Sequence, residues 1–331
     1  MRNEPSLPDV SIVIVNWNSR EFLSKCLKSL YDKPSSLAME VIVIDNASYD
    51  GSDALVRRDH PDVAYIQGTA NLGFARANNL AAERAKGRNL LFLNPDTEVV
   101  GTAIERMVGF LDATPDAGAV GCRLLNTDGS LQTSCVQAFP TVLNQVLDSE
   151  FLRRLSPRSG LWGTRAFTEP PQVPYQVEAL SGACILVRQE AFFRVGRFTE
   201  NYFMYAEDVD LCFKLHRSGL RNYYLGDAEV VHHGGQSSGV APVSQFGNVL
   251  MRESIATYMT IHHGVVRAWA YRVGMAFSAV TRLSALAVLR VVGLGLYKRQ
   301  AIQNAARKWI GVLRWSVGAE AWVKNPGAKP S

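Results

Sequence analysis

The sequence predicts an α/β protein built on a largely parallel, doubly wound sheet, and three observations carry that expectation. Apolar runs alternate with amphipathic segments from residue 10 to residue 125. One run, LLFL at 90–93, is apolar at every position, as a strand covered on both faces should be. Three runs are closed by a polar side chain, Asn16, Asp45 and Asp96, at the carboxyl ends where such sheets collect ligands.

Taken in order, residues 10–15 (VSIVIV) form a β-branched strand, and Asn18 with Glu21 has the spacing of a capping box opening a helix to Leu30. Residues 41–44 (VIVI) make a second strand, followed by a short helix from Ser52 and an edge-like strand at 63–67. The Ala-rich segment NLGFARANNLAAERAKG reads as a helix closed by Gly87, and LLFL follows it. Pro95 lacks an N–H, so regular pairing should stop there and leave Asp96 at the strand end. A helix at 102–112 leads to a strand at 119–125. Residues 126–174 are rich in Pro, Ser and Gly and predict long loops with one helix at 142–155. Regularity returns with a strand at 177–187, a helix from Gln189, a helix at 208–218 stopped by Gly219, and a strand at 229–232 that ends in HHGG.

With 331 residues, 47% hydrophobic and 20% charged, the chain can bury a full core. The five cysteines show no C-x-x-C spacing, and MRNEPSLPDV has no signal-peptide core, so reduced thiols and a cytosolic protein are expected. The net charge of +5 conceals an asymmetry: residues 264–331 hold 11 Lys/Arg and one acid, so the rest of the chain is acidic on balance. No nucleic-acid recognition motif accompanies the basic tail. A membrane surface suits it better, because residues 265–297 are apolar but interrupted by Arg267, Arg272, Arg282 and Arg290, which leaves no uncharged run of the ~20 residues a span needs. The alternative is that this apolar face packs on the catalytic part or across a homodimer. The expected organisation is a catalytic domain at 1–263, with halves at 8–125 and 126–263, and a basic helical tail at 264–331.

Asn16, Asp45 and Asp96 should converge on one crevice, although any one could be a cap or turn residue. Carboxylates bind a phosphate poorly by themselves, and a divalent cation resolves this, since Mg²⁺ or Mn²⁺ bridges carboxylate to diphosphate. Asp45 could instead bond a nucleobase or ribose. His232 or His233 could complete a metal shell. Glu207, Asp208 and Asp210 form a second acidic cluster, which either caps a helix or supplies a general base. Tyr202, Phe203 and Tyr205 beside it would suit a sugar-stacking rim. Neither G-x-G-x-x-G nor G-x-x-x-x-G-K occurs, which argues against dinucleotide oxidoreductases and P-loop enzymes. NWNSREF stands where a nucleotidyltransferase usually carries a Gly-rich basic loop.

In order, VSIVIVNWN, VIVIDNASYDGS, NLGFARANN, LLFLNPDTEV, SGACILVRQEAFFRVGRFTENYFMYAEDVDLCFKLHRSG and VVHHGGQSS resemble the inverting nucleotide-sugar glycosyltransferases of family 2, in particular the rhamnosyltransferase-like branch. The resemblance covers residues 8–238 and implies a GT-A-like nucleotide-sugar-binding fold. It further implies that Asn16, Trp17 and Asn18 line the nucleotide pocket, that Asp45 reads a pyrimidine base, and that Asn71, Gly73 and Phe74 lie against the diphosphate. Asp96 and His232 would bind the metal, and Asp208 would be the catalytic base, supported by Glu207 and Asp210. Asn94 stands where many relatives carry the first acid of Asp-x-Asp, which removes one charge from the metal site.

The implied function is an inverting, metal-dependent transfer of L-rhamnose from dTDP-rhamnose to a lipid-linked or polysaccharide acceptor in cell-envelope assembly, by an enzyme peripheral to the inner face of the cell membrane. The competing readings are a UDP-hexose or galactofuranose donor, and a non-catalytic sugar- or lipid-binding scaffold.

Overall fold

The computed structural model describes residues 7–32, 34–149, 156, 163, 174–234, 245–292 and 299–324. These fall into two compact units, one within 1–139, 164–200 and 207–239, the other within 140–163, 201–206 and 240–331.

In the first unit the strands are β1 (Val10–Asn16), β2 (Met39–Asp45), β3 (Ala64–Gln67), β4 (Asn89–Leu93), β5 (Thr97–Val99), β6 (Ala117–Leu125), β7 (Val136–Gln137), β8 (Tyr175–Val177), β9 (Ala179–Leu180), β10 (Cys184–Arg188) and β11 (Arg221–His232). The first four helices are α1 (Arg20–Tyr31), α2 (Ser52–Asp59), α3 (Gly73–Ala82) and α4 (Ala103–Ala113). The main sheet runs β3-β2-β1-β4-β10-β6-β11-β5, with β8 paired to β11. The first four strands are parallel, as expected from their βα alternation. The second half is mixed: β10 enters antiparallel between β4 and β6, and β5 closes the edge antiparallel to β11.

The core explains the order. Ile12 and Ile14 of β1 and Leu91 and Phe92 of β4 have no exposed surface, so both faces of these central strands are covered. Phe92, Phe192 and Phe198 pack in tilted and edge-to-face contacts with ring centroids 4.7–5.4 Å apart. Each such buried ring stabilises the fold by about 1.5–3 kcal/mol. All five cysteines are buried free thiols.

Three local expectations are corrected. The Asn18–Glu21 capping box does not form: Asn18 is left-handed (φ 49°) and gives its N–H to Ser48, while the N–H of Arg20 is capped by Asp50 from the next loop. The strand expected at 177–187 is broken into β8, β9 and β10, because the chain bends at Glu178 and turns at Gly182-Ala183. The strand expected at 229–232 is twelve residues long and shifts register between Leu225 and Glu229.

The second unit contains α5 (Val142–Leu147), shorter than expected because Asp148 leaves helical geometry (ψ 113°); residues 150–155 of the helix expected to 155 lie outside the described residues. After α6 (Gln189–Arg194) and α7 (Glu207–Arg217) of the first unit, it continues with α8 (Gln245–His263), α9 (Val265–Val292) and α10 (Arg299–Ser316). Gly264 (φ 85°) separates α8 from α9. The helices are joined by Glu253, whose carboxylate accepts from Arg272 at 2.5 Å and from the indole of Trp315 at 2.6 Å. Arg282 stacks on Trp309 and donates to the carbonyl of Asp148 at 2.7 Å. Helical packing thus begins before residue 264, and two of the four arginines that interrupt the apolar segment turn inward. By length and composition α9 is long and apolar enough to cross a membrane, although, as expected from the sequence, its arginines leave no uncharged run of that length. The same helix leaves Val266, Trp269, Val273, Phe277 and Val280 exposed. At 100° per residue these share one stripe about 80° wide, which holds no arginine.

Candidate active site

At the ends of β1 and β2, Asn16 and Asp45 are register partners and hydrogen-bond at 2.6 Å. The Asp45 carboxylate is saturated: Oδ2 also accepts from the Ser48 hydroxyl at 2.7 Å, and Oδ1 accepts from the Ser48 N–H at 2.7 Å and Gln67 at 2.9 Å. Burial alone would raise its pKa, but these four donors outweigh it and hold the carboxyl below its ordinary range. Asn16 has no exposed surface and also donates to Ser52 at 3.1 Å, so its visible task is to hold Asp45. Trp17 is half-buried and Asn18 exposed. At the start of α3, Asn71 Oδ1 accepts the N–H of Gly73 at 2.9 Å, and Gly73 has φ 79°, a conformation glycine adopts without strain. Phe74 packs its ring on Phe198 at 5.9 Å.

β4 ends as expected. The N–H of Asn94 bonds Ala183, Asp96 is fully buried, and the chain turns into β5. Because β5 pairs with β11, Thr97 sits opposite His232, and His232 Nε2 comes to 3.4 Å from Asp96 Oδ1. Asn94 Nδ2 is 3.4 Å from the same nitrogen. His233 points elsewhere, with Nε2 at 2.7 Å from Glu98 and Nδ1 at 3.1 Å from the Thr127 hydroxyl. Of the two histidines, His232 is therefore the one facing Asp96. Gln132, which sequence reasoning did not single out, bonds both the ring and the carbonyl of His232. It lies in the loop after β6, and its partner is 100 residues away, so no local pattern announced it.

No third His, Cys, Asp or Glu joins Asp96 and His232 among the described residues. One carboxylate and one imidazole fit a Mg²⁺ or Mn²⁺ ion that takes its remaining ligands from phosphate oxygens and water.

The acidic cluster opens α7. Asp208 is partly buried and Oδ2 accepts the Gly182 N–H at 2.8 Å, with Gln137 at 3.5 Å; Oδ1 accepts the Val209 N–H at 2.8 Å. The break between β9 and β10 is what frees that glycine amide, and a Cβ on Gly182 would lie 3.1 Å from Asp208 Cβ. Burial pushes Asp208 up, and these donors offset it only in part, so the carboxyl stays above its ordinary range. Glu207 has Oε2 buried without a hydrogen bond; burial first, then the charge of Asp208, pushes it up to about 8. Both carboxyls are thus raised by burial, and Asp208 is the one that main-chain N–H groups hold in place. Asp210 is committed to Lys214 at 3.0 Å and the Thr199 hydroxyl at 2.7 Å, which is a structural role. Tyr205 and Ala206, just before the pair, are both left-handed (φ 72° and 64°). Tyr202 is a buried core side chain of the second unit and not part of a rim.

The chain as a whole has known relatives. Residues 11–195 match the family model described as glycosyl transferase family 2, and the chain belongs to that family and is a glycosyltransferase. It is 32% identical over 289 residues, 80% of this chain and 90% of the relative, to the N-acetylglucosaminyl-diphospho-decaprenol L-rhamnosyltransferase of Mycobacterium tuberculosis. It is 28% identical to rhamnosyltransferase WbbL of Escherichia coli K12, covering 68% and 83% of the two chains. The mannosyltransferase PcManGT from Pyrobaculum calidifontis, solved with GDP-Man and Mn²⁺, has the same GT-A-like fold with a TM-score of 0.59 at 18% identity over 96% of this chain and 90% of that one.

Proposed function

We propose that this glycosyltransferase is an inverting, metal-assisted rhamnosyltransferase that transfers L-rhamnose from dTDP-rhamnose to a lipid-linked saccharide in cell-envelope glycan assembly. The observation that carries the mechanism is the Asp208 carboxyl, fixed by the Gly182 and Val209 amides at the start of α7 beside the buried Glu207. Asp208 accepts the proton of an acceptor hydroxyl as that oxygen bonds to the anomeric carbon, and the bond from that carbon to the diphosphate oxygen breaks. A single attack from the opposite face inverts the anomeric centre. Asp45, held by Asn16, would accept a pyrimidine N–H in place of one of its present side-chain donors, Ser48 or Gln67. Asn71 and Gly73 at the start of α3 receive the diphosphate. Asp96 and His232 would hold the divalent cation, which when bound neutralises charge on the leaving diphosphate.

The rhamnose is suggested by the names of the M. tuberculosis and E. coli relatives, and the lipid acceptor by that of the M. tuberculosis one. The exposed stripe of α9 and the basic tail support attachment at the inner membrane face, where such an acceptor would lie.

Asp208→Asn tests the base. It should keep donor binding and lose about 10²–10⁴-fold in turnover; unchanged turnover would sink the assignment. A thermal-shift panel of dTDP, UDP and GDP sugars with Mn²⁺ or chelator tests the donor. Metal-dependent stabilisation by dTDP-rhamnose alone is the expected result. A response to a UDP-hexose or UDP-galactofuranose instead would keep the glycosyltransferase and discard the rhamnose.

A further inference from the structure

His232 has two ring nitrogens, and the arrangement of its neighbours determines which one carries the proton. The main-chain carbonyl of His232 can only accept, so the Gln132 atom 2.6 Å from it is the amide NH₂. That orientation turns Gln132 Oε1 toward His232 Nδ1, at 2.9 Å. Oε1 can only accept in its turn, so Nδ1 bears the hydrogen. In the neutral ring Nε2 is then a lone pair, and it is this atom that lies 3.4 Å from Asp96 Oδ1. The amide nitrogen of Asn94, a donor, faces Nε2 at 3.4 Å and is consistent with an acceptor there.

We propose that Gln132 is a positioning residue that fixes the tautomer and orientation of His232, so that the Nε2 lone pair is presented beside Asp96 for a divalent cation. The part concerning the cation rests on the metal reading above, whereas the tautomer stands on the hydrogen bonds alone. His233 provides an internal contrast. Its Nε2 faces the Glu98 carboxylate at 2.7 Å and donates to it, which leaves Nδ1 to accept from Thr127. Two consecutive histidines therefore hold opposite tautomers, and only the first has its Nε2 lone pair beside Asp96. Partners of this kind, one shell behind a metal ligand, typically change metal affinity about 10–100-fold.

The test uses the full chain, metal-free and ¹⁵N-histidine-labelled, at a pH well above the ordinary histidine range. Two-bond ¹H–¹⁵N correlation spectra should give Nδ1–H for His232 and Nε2–H for His233. In Gln132→Leu the His232 preference should disappear while the His233 pattern persists, which also reports that the variant is folded. Mn²⁺ affinity, read by electron paramagnetic resonance, should fall about 10–100-fold in that variant. An Nε2–H or doubly protonated His232 in the unsubstituted protein overturns the proposal, even if His232→Ala still weakens Mn²⁺ and the metal reading survives. The expected tautomer with Mn²⁺ affinity unchanged in His232→Ala overturns the metal reading instead and leaves Gln132 as an orienting residue only.

Discussion

Glu207 and Asp208 are neighbours in sequence and share one buried corner, yet they meet different donors. Asp208 receives two main-chain N–H groups, whereas Glu207 Oε2 receives none. Glu207 is raised in the folded state from about 4.5 to about 8, so its contribution is favourable at low pH. That contribution is complete below the unfolded value and is lost as pH rises through the folded one. Thermal melts of the native protein should therefore decline across that window, and Glu207→Gln should flatten the decline and melt higher at its alkaline end. An identical pH slope in the variant would show that Glu207 ionises normally. Asn16 permits a second residue-scale test. Asn16→Ala removes the shortest donor to a buried carboxylate, and chemical denaturation should register a loss of about 1–3 kcal/mol.

At the level of elements, the parallel half of the sheet depends on close backbone approach. Gly87 enters β4 where an added Cβ would come within 2.5 Å of the Ser11 nitrogen and 2.7 Å of the Val10 carbonyl carbon, both main-chain atoms of β1. Main chain in the middle of a sheet cannot yield as a side chain can. Gly87→Ala should therefore cost about 1–3 kcal/mol or more in equilibrium unfolding. Gly109, inside α4, has open space around its Cβ position and an ordinary helical conformation. Gly109→Ala should instead stabilise by about 0.5–1 kcal/mol. Equal effects at the two sites would contradict this account of the β1–β4 contact.

For the whole molecule, the second unit is held together by the Glu253–Arg272–Trp315 cluster and leaves the apolar stripe of α9 uncovered within that unit. Trp269 and Phe277 are 66% and 69% exposed, enough for both to insert at a bilayer surface. Replacing both with Ser should weaken binding to vesicles of anionic lipid by about 10–100-fold. Turnover on a water-soluble acceptor should be unaffected. Equal vesicle binding by the double variant would remove the stripe from the membrane reading.

Much of this was legible in the linear chain, wherever the signal is local. Runs such as VSIVIV and LLFL announce covered strands because burial on two faces requires apolar residues at consecutive positions, and Asp45, Asp96 and Glu207-Asp208 are marked by following or preceding such elements. The sequence therefore determined the parallel first half of the sheet, the strand-end residues and the membership that six ordered motifs imply. Tertiary structure alone decided what depends on contacts between distant segments. The antiparallel entry of β10, the choice of His232 over His233, the Gln132 clamp and the freed Gly182 amide all arise from pairings across 26 to 138 residues. Hydrogen-bond direction and register are set by where the chain returns, and the chemistry of Asp208 and His232 follows from those returns.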